Sequence, residues 1–302
     1  MSGSTLRPIA AALALVIIAA CSGGSSAQVA SSAGIQPAVH RPPDAKTLVY
    51  VSQEAANRIS AFRLDGKRIG TIRKRVDYPQ GIFADAQGTL YIANRGASDV
   101  LEFNRGAASP SKILSDDNEQ PEDVTVCPDG TVYVANILGA SGGAGDITVY
   151  AHASRNPTRT LNYNGGFFFF LTCDAQGNVF STLVLGTTGT VVEFPGGQQS
   201  GATQLPIFFG GNPSGIVADN AGNLLVAGQG DGVEEFTESG SPTGLQIAAT
   251  GLNQITLSPD GTLLLGATAK GASQYTFPAG KLDHTYRSSG TAMGAAFDPG
   301  TN

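Results

Sequence analysis

The turn-and-strand segment Asp85-Ala-Gln-Gly88-Thr-Leu-Tyr91 decides the fold, because close variants of it return along the chain. The variants are Pro128-Asp-Gly130-Thr-Val-Tyr133, Asp174-Ala-Gln-Gly177-Asn-Val-Phe180, Asp219-Asn-Ala-Gly222-Asn-Leu-Leu225 and Pro259-Asp-Gly261-Thr-Leu-Leu264. Their glycines are separated by 42, 47, 45 and 39 residues. Glycine supplies the positive φ of a tight hairpin, and a neighbouring Asp or Asn stabilises the turn. Each copy therefore predicts a hairpin, and the period indicates a repeat protein.

A second marker runs in phase with the turn and occurs six times. An aromatic residue closes a later strand in every repeat: Phe62, Phe103, Tyr150, Phe194, Phe236 and Phe277. The first repeat begins at Thr47 without an inner strand, whereas Met293–Asn302 is an inner strand with its turn and nothing after it. Joined, the termini complete one repeat and remove an open sheet edge. The predicted fold is therefore all-β, a six-bladed β-propeller closed by a C-terminal inner strand.

The inner strands of this propeller are predicted at Gly81–Asp85, Asp123–Cys127, Phe169–Cys173, Gly215–Asp219, Gln254–Ser258 and Gly294–Asp298. The runs Pro-x-Gly-Ile-x-x-Asp, Gly-x-Leu-Tyr-Ile/Val-Ala-Asn and Val-x-x-Phe resemble the NHL-repeat family, and more distantly the gluconolactonase-type propellers, over residues 47–302. The resemblance implies a propeller but no particular activity, because such repeats occur in scaffolds, receptors and enzymes.

The N-terminus has the pattern of a bacterial lipoprotein signal. Arg7 precedes an unbroken apolar run, Ile9 to Ala20, which is the length of a secretory signal and too short to span a bilayer. The run ends Ile18-Ala19-Ala20-Cys21, which resembles the lipobox that is cleaved before the cysteine receiving lipid. We expect lipidation at Cys21, with palmitate among the acyl chains; an ordinary signal cleaved after Ala20 is the alternative.

The predicted domains follow from this pattern: a cleaved signal over residues 1–20, a lipid-anchored tether over 21–45, and the propeller over 46–302. The tether is rich in Ser, Ala, Gly and Pro and has no hydrophobic periodicity. Ser22 stands where many Gram-negative lipoproteins carry a retaining Asp. By that rule we expect the outer membrane of the cell envelope, with periplasmic or surface exposure left open.

The charge balance argues against a nucleic-acid partner. The chain has 18 Lys and Arg against 24 Asp and Glu, and a nucleic-acid footprint needs an excess of basic side chains. One local basic cluster exists: Arg63, Lys67, Arg68, Arg73, Lys74 and Arg75. We expect it to be a solvated outer strand, with a polyanion site as the alternative.

Two cysteines remain besides Cys21, and both end predicted inner strands of adjacent blades. Cys127 lies three residues before Gly130, whereas Cys173 lies four before Gly177, so the two positions differ in register. An exported protein favours a disulfide, but the register leaves the geometry uncertain. We expect two separately buried thiols, with a disulfide as the alternative.

The candidate binding face is the end of the ring where the chain enters each inner strand and where second strands pass to third strands. Its candidate residues are Gln80, Glu122, Phe168, Ser214, Asn253, Asn94 and Asn136. Asn94 and Asn136 end second strands, where turn chemistry is the alternative role. The run Phe167-Phe-Phe-Phe170 is expected to fill the channel with aromatic bulk, an exposed anchor being the alternative.

A channel metal is the enzymatic alternative. Gluconolactonase-type propellers hold a divalent cation there, and Glu122, Asp123 and Asn253 could supply oxygen ligands to Ca²⁺. The first inner strand offers no further ligand, so we expect no cofactor and polar residues around a water-filled channel instead. His152 and His284 fall near outermost strands, away from any central acid or base role.

These observations favour a non-catalytic, lipid-anchored binding or scaffold module. The expected partners are the membrane, through the lipid, and a protein or glycan of the envelope; a monomer is expected. A metal-dependent gluconolactonase-like hydrolase is the alternative function.

Overall fold

The structure is a computed structural model that describes residues 46–209, 212–228, 230 and 232–300. The predicted signal, Cys21 and the tether lie outside the described residues. No described helix is both long and apolar enough to cross a membrane.

The described residues form 24 strands in six four-stranded antiparallel sheets, one sheet to a blade. Blade one contains β24 (Ala295–Asp298), β1 (Leu48–Gln53), β2 (Arg58–Arg63) and β3 (Arg68–Ile72). Blade two contains β4 (Pro79–Ala84), β5 (Leu90–Asn94), β6 (Asp99–Phe103) and β7 (Lys112–Ser115). Blade three contains β8 (Gln120–Val126), β9 (Val132–Leu138), β10 (Asp146–Tyr150) and β11 (Arg159–Leu161).

The second half of the ring repeats this order. Blade four contains β12 (Phe167–Cys173), β13 (Val179–Leu185), β14 (Thr188–Phe194) and β15 (Thr203–Phe209). Blade five contains β16 (Pro213–Ala218), β17 (Leu224–Gly228), β18 (Gly232–Phe236) and β19 (Pro242–Ile247). Blade six contains β20 (Leu252–Leu257), β21 (Leu263–Thr268), β22 (Gly271–Thr276) and β23 (Leu282–Arg287). Three short 3-10 helices occur among the described residues, at Glu54–Ala56, Arg95–Ala97 and Pro195–Gly197.

The ring is closed by the C-terminal strand, which confirms the predicted all-β six-bladed propeller. β24 pairs antiparallel with β1, so that Asp298 lies opposite Leu48 and Ala295 opposite Val51. Beyond the paired residues, the Ser52 N–H donates to the Gly294 carbonyl over 2.9 Å. The inner strands β4, β8, β12, β16, β20 and β24 each contact the next around the ring.

The hydrophobic core is divided among the interfaces between blades. Within the described part of the chain, six clusters of buried side chains form, one at each interface, including that between blades six and one. The aromatic markers take part: Phe103 packs between blades one and two, and Phe62 contacts Tyr286 of blade six. Each blade therefore buries one apolar face against each neighbour, which explains why the ring needs every copy of the repeat.

Inner strands begin earlier than predicted in blades two to six. The register of β4, β8, β12, β16 and β20 against the second strand shifts near the channel mouth, as in a β-bulge. In blade two, pairing resumes beyond the bulge, where Pro79 lies opposite Asn94. A bulge inserts unpaired residues and bends the strand, so simple alternation placed the start of each strand two or three residues too late.

The expectation of two separate thiols is wrong. Cys127 and Cys173 form a disulfide between blades three and four, with a Cα–Cα distance of 5.4 Å. Cys173 is the last residue of β12, and Cys127 directly follows β8. Inner strands of adjacent blades converge towards the axis, and this brings the two Cα atoms within bridging range despite the difference in register.

Candidate functional site at the channel mouth

Each of the six inner strands has one equivalent position, four residues before the residue that opens the following turn. In blade order from two to six and then one, these residues are Gly81, Asp123, Phe170, Gly215, Gln254 and Gly294. The three glycines let neighbouring strands and side chains approach closely. A Cβ at Gly81 would lie 2.0 Å from Asp123 Oδ1, and one at Gly294 would lie 2.7 Å from the Gln80 carbonyl oxygen.

Gln254 spans the space that the glycines leave. Its Nε2 donates to the Ile82 carbonyl over 2.9 Å and to Asp123 Oδ1 over 2.7 Å. Its Oε1 accepts from the Ile82 N–H at 3.1 Å and the Ala295 N–H at 3.0 Å. One side chain of blade six thereby binds the inner strands of blades one, two and three.

Asp123 extends this hydrogen-bond network to blade four. Its Oδ2 accepts from the Leu171 N–H of blade four over 3.0 Å. Burial raises the pKa of the Asp123 carboxyl well above its usual range, and the Leu171 N–H bond opposes that rise. Asp123 and Gln254, named here the axial pair, join the inner strands of opposite blades by a direct hydrogen bond.

The three candidate metal ligands all have protein partners. Asp123 is held as described, Glu122 forms an ion pair with Arg95, and Asn253 Nδ2 donates to the Ala292 carbonyl over 2.8 Å. Among the described residues, no group of three His, Cys, Asp or Glu side chains has an arrangement suited to a metal ion. The geometry therefore gives the two carboxylates structural partners in place of open coordination positions.

Most of the predicted face residues lie beneath the surface. Gln80, Glu122, Phe168, Ser214, Asn94 and Asn136 are buried, and Asn253 is half-buried. Phe168 packs against Phe194 between blades three and four, with ring centroids 6.3 Å apart. Phe170 enters the core between blades four and five. Phe168 and Phe170 therefore fill interblade cores, Phe169 packs against the second of these cores, and Phe167 is half-buried.

Asn94 and Asn136 organise the loops above them. The Asn94 Oδ1 accepts from the Asp77 N–H over 2.6 Å, and its Nδ2 donates to Asp99 Oδ1 over 2.6 Å. In blade three, Asn136 Nδ2 donates to Glu119 Oε2 over 2.6 Å. Each amide ties the loop leading into the inner strand to the end of the second strand, which is the turn chemistry considered from the sequence.

Five residues that the sequence pattern does not single out interact with one another between blades one and two, and they are named here the mouth cluster: Glu54, Asn57, Asp77, Tyr78 and Arg95. Tyr78 is 40% exposed and has a φ of 50°. Its N–H donates to Asn57 Oδ1 over 2.9 Å, and Asn57 Nδ2 donates to Asp77 Oδ1 over 3.1 Å. A non-glycine residue at positive φ is strained and persists only where its surroundings fix it.

A hydrogen bond to Glu54 holds the Tyr78 ring in place. The Tyr78 hydroxyl is hydrogen-bonded to Glu54, and this bond, with the Glu54 charge, raises the pKa of Tyr78. Arg95 is paired with Glu122; burial lowers the pKa of its guanidinium, while the Glu54 charge opposes that change. The mouth cluster thus presents an exposed phenol ring, whereas the Nε and Nη2 atoms of the paired guanidinium are buried.

Blade three carries an acidic group on the same face. Burial, a hydrogen bond to Asp146 and the charges of Asp146 and Asp116 raise the pKa of Glu119 to about 8. Burial raises the pKa of Asp116 to about 7, although the Tyr150 hydroxyl donates to it over 2.8 Å. At neutral pH this group therefore retains protons that isolated carboxyls would lose.

Comparison with known proteins supports the fold alone. No protein-family model matches the chain, the NHL repeat included, and no curated protein matches it. A functionally unknown protein from Desulfotomaculum acetoxidans is similar in structure, with a TM-score of 0.56 and 13% identity over 79% of this chain and 78% of that one. Kuenenia stuttgartiensis hydrazine synthase has a TM-score of 0.55 and 16% identity over 78% of this chain and 74% of its own. At such identities the likeness establishes a propeller and no activity.

Proposed function

We propose that this chain is a lipid-anchored envelope propeller that binds a protein or glycan through the mouth cluster and catalyses no reaction. Anchoring rests on the lipobox-like Ile18-Ala19-Ala20-Cys21, and the proposed site of the mature protein is the outer membrane. The Cys127–Cys173 disulfide supports export, because such bonds persist in oxidising compartments such as the periplasm.

The observation that carries the binding role is the exposed Tyr78 ring, which Asn57 and Glu54 hold in place. Tyr and Arg are enriched among the residues that dominate binding energies. A ring already held by Asn57 and Glu54 loses little conformational freedom on binding. Because the loops are mounted on a closed ring, the cluster is presented as a rigid surface.

The protein partners of the candidate metal ligands favour this role over the hydrolase alternative. A metal-dependent lactonase needs carboxylate or amide oxygens free to coordinate a cation and a cavity for the substrate. Here Asp123 is hydrogen-bonded to Gln254, and Glu122 is paired with Arg95. The described histidines lie elsewhere: His284 is in the outermost strand β23, and His152 follows β10.

Two measurements test the proposal. A photo-crosslinking amino acid at position 78, introduced in the producing cell, is expected to form adducts with an envelope partner. Calcium is expected to leave the thermal unfolding of the purified chain unchanged. A calcium-dependent rise in Tm that Glu122→Gln abolishes, together with lactone hydrolysis, would establish the hydrolase instead.

A further inference from the structure

Blade one contains a concentration of basic residues that the other blades lack. Within residues 58–75 the only acidic residue is Asp65. The same segment contains seven basic residues, named here the basic edge: Arg58, Arg63, Lys67, Arg68, Arg73, Lys74 and Arg75. All except the half-buried Arg58 are exposed. This concentration stands in a chain whose formal net charge is −6.

The basic side chains crowd one another. Arg63 donates its N–H to the Lys67 carbonyl over 2.9 Å, so these two residues face each other across the β2–β3 turn. Burial and the nearby charges of Arg68 and Arg73 lower the pKa of Arg58. Like charges on facing strands are destabilising, so folding alone does not favour this arrangement.

Few acidic partners neutralise the basic edge. Arg75 lies 3.6 Å from Asp99 in an ion pair. Within the described ranges, the other six basic residues have no acidic oxygen within ion-pair distance. Arg68 reaches only the Thr71 hydroxyl, at 2.5 Å, and Arg73 the Ala56 carbonyl, at 3.3 Å. The excess positive charge is therefore free to meet an external anion.

Protection of an edge strand does not account for seven charges. β3 itself contains one basic residue, Arg68, and the outermost strands of the other blades contain at most one each, such as Lys112 in β7 and Arg287 in β23. The outermost strands β15 and β19 contain a proline instead, Pro206 and Pro242, and proline has no N–H to donate to an added strand. Either device is sufficient to block strand addition. Six of the seven basic residues lie outside β3, in β2, in the β2–β3 turn and in the loop after β3, where they protect no outer strand edge.

We propose that the basic edge docks on the anionic phospholipid headgroups of a membrane. Ile69, in the middle of β3, is 46% exposed and would enter the interfacial region between the headgroups. The choice of a lipid surface over other polyanions rests on the proposed anchoring at Cys21. Only 24 residues separate Cys21 from the first described residue, Lys46, so an anchor at Cys21 would keep the first blade within reach of the membrane.

Vesicle binding tests this docking surface without the lipid anchor. All described strands and the β24–β1 closure lie within residues 48–298, so a chain from Ser22 to Asn302 retains the complete ring. We expect it to co-sediment with vesicles of phosphatidylethanolamine and phosphatidylglycerol and not with vesicles of phosphatidylcholine alone. Raising the salt from about 0.05 M to about 0.5 M should release it, because the screening length falls severalfold.

A matched pair of variants locates the effect. Arg68→Ser/Arg73→Ser/Lys74→Ser is expected to lower the vesicle partition coefficient by about tenfold or more. Arg155→Ser/Lys270→Ser/Lys281→Ser removes the same charge from exposed, scattered positions on blades three and six and should bind nearly as wild type. Equal losses in both variants, or equal binding to both vesicle types, would overturn the proposal. Tight binding of inorganic polyphosphate without vesicle binding would also overturn it, leaving crosslinking from position 78 unaffected.

Discussion

Gln254 Nε2 lies 2.7 Å from Asp123 Oδ1, and this hydrogen bond joins blades six and three, which stand opposite each other in the ring. It fits only because Gly81 has no side chain, since a Cβ there would lie 2.0 Å from the same Oδ1 atom. The axial pair therefore makes the stability of the whole ring depend on a glycine in blade two.

Gly81→Ala is expected to destabilise the protein by about 1–3 kcal/mol, the usual cost of overpacking. For a domain of this size that is a fall in Tm of about 2–4 °C per kcal/mol. Gly70→Ala in β3 is the matched control, because its Cβ would meet only the Ala61 Cβ, at 4.0 Å. Thermal unfolding of both variants measures the difference.

Asp123→Ala tests whether the clash at Gly81 acts through the axial pair. In a double-mutant cycle, the Gly81→Ala loss should be smaller when Asp123 is already alanine. Strict additivity of the two losses would show that Gly81 matters for another reason.

Much of this fold was predictable from local repeats, because turn glycines and strand-closing aromatics act within one blade. The number of blades and the closing strand Gly294–Asp298 followed from those markers. The axial pair could not be predicted in this way. Whether Gln254 reaches Ile82 depends on the diameter of the ring, which is set by the packing of all six interfaces between blades. The Cys127–Cys173 disulfide was not predicted for the same reason. Counting residues to a turn glycine gives no distance between neighbouring blades.

The disulfide has a direct chemical test. Thiol titration of the denatured, unreduced chain from Ser22 to Asn302 should find no free thiol. The bridge joins residues 46 positions apart, and the chain-entropy argument gives it about 4 kcal/mol of stabilisation. Cys127→Ser/Cys173→Ser should therefore unfold at lower denaturant concentration. Two free thiols per chain would contradict the structure.

Lipidation is expected at Cys21. In a bacterial host, a palmitate label should enter the wild-type protein and be absent from Cys21→Ala. The physical reason is the position of the cysteine, directly after the apolar run and two small residues. Undiminished labelling of the variant would refute the lipid anchor and would leave the propeller unaffected.

The acidic group of blade three predicts a pH dependence of stability. The pKa of Glu119 is raised to about 8 and that of Asp116 to about 7, whereas in the unfolded chain both titrate near ~4. The folded state therefore binds more protons than the unfolded state between these limits. Its stability is greatest at the acidic end of that window and declines as the pH rises through it.

Glu119→Gln removes one of these titrations while leaving an oxygen to accept from Asn136. At about pH 8.5 the variant should melt roughly 2–4 °C above wild type, and near pH 5 the two should agree. Glu235→Gln in blade five, which removes the same charge elsewhere, should show no such pH-dependent gain. A variant curve parallel to wild type across this range would contradict the assigned coupling.

The mouth cluster was missed because its geometry comes from two blades. Asn57 and Glu54 belong to blade one, whereas Tyr78 lies on the chain leading into blade two. Their sequence positions alone do not indicate that Asn57 receives the Tyr78 N–H and fixes its positive φ. The candidates selected from strand ends, Asn94 and Asn136, support these loops from below.

Site-specific crosslinking from Tyr78 tests the proposed binding role most directly. The photoreactive residue is placed in separate variants at Tyr78, at the exposed Gln87 on the opposite end of β4, and at Phe208, an outer-strand aromatic that is 63% exposed. We predict one defined adduct from position 78 in the producing cell, several times stronger than from positions 87 and 208, because aromatic anchors concentrate at binding hot spots. Equal yields from all three positions, or no adduct from position 78, would contradict a binding function at the channel mouth.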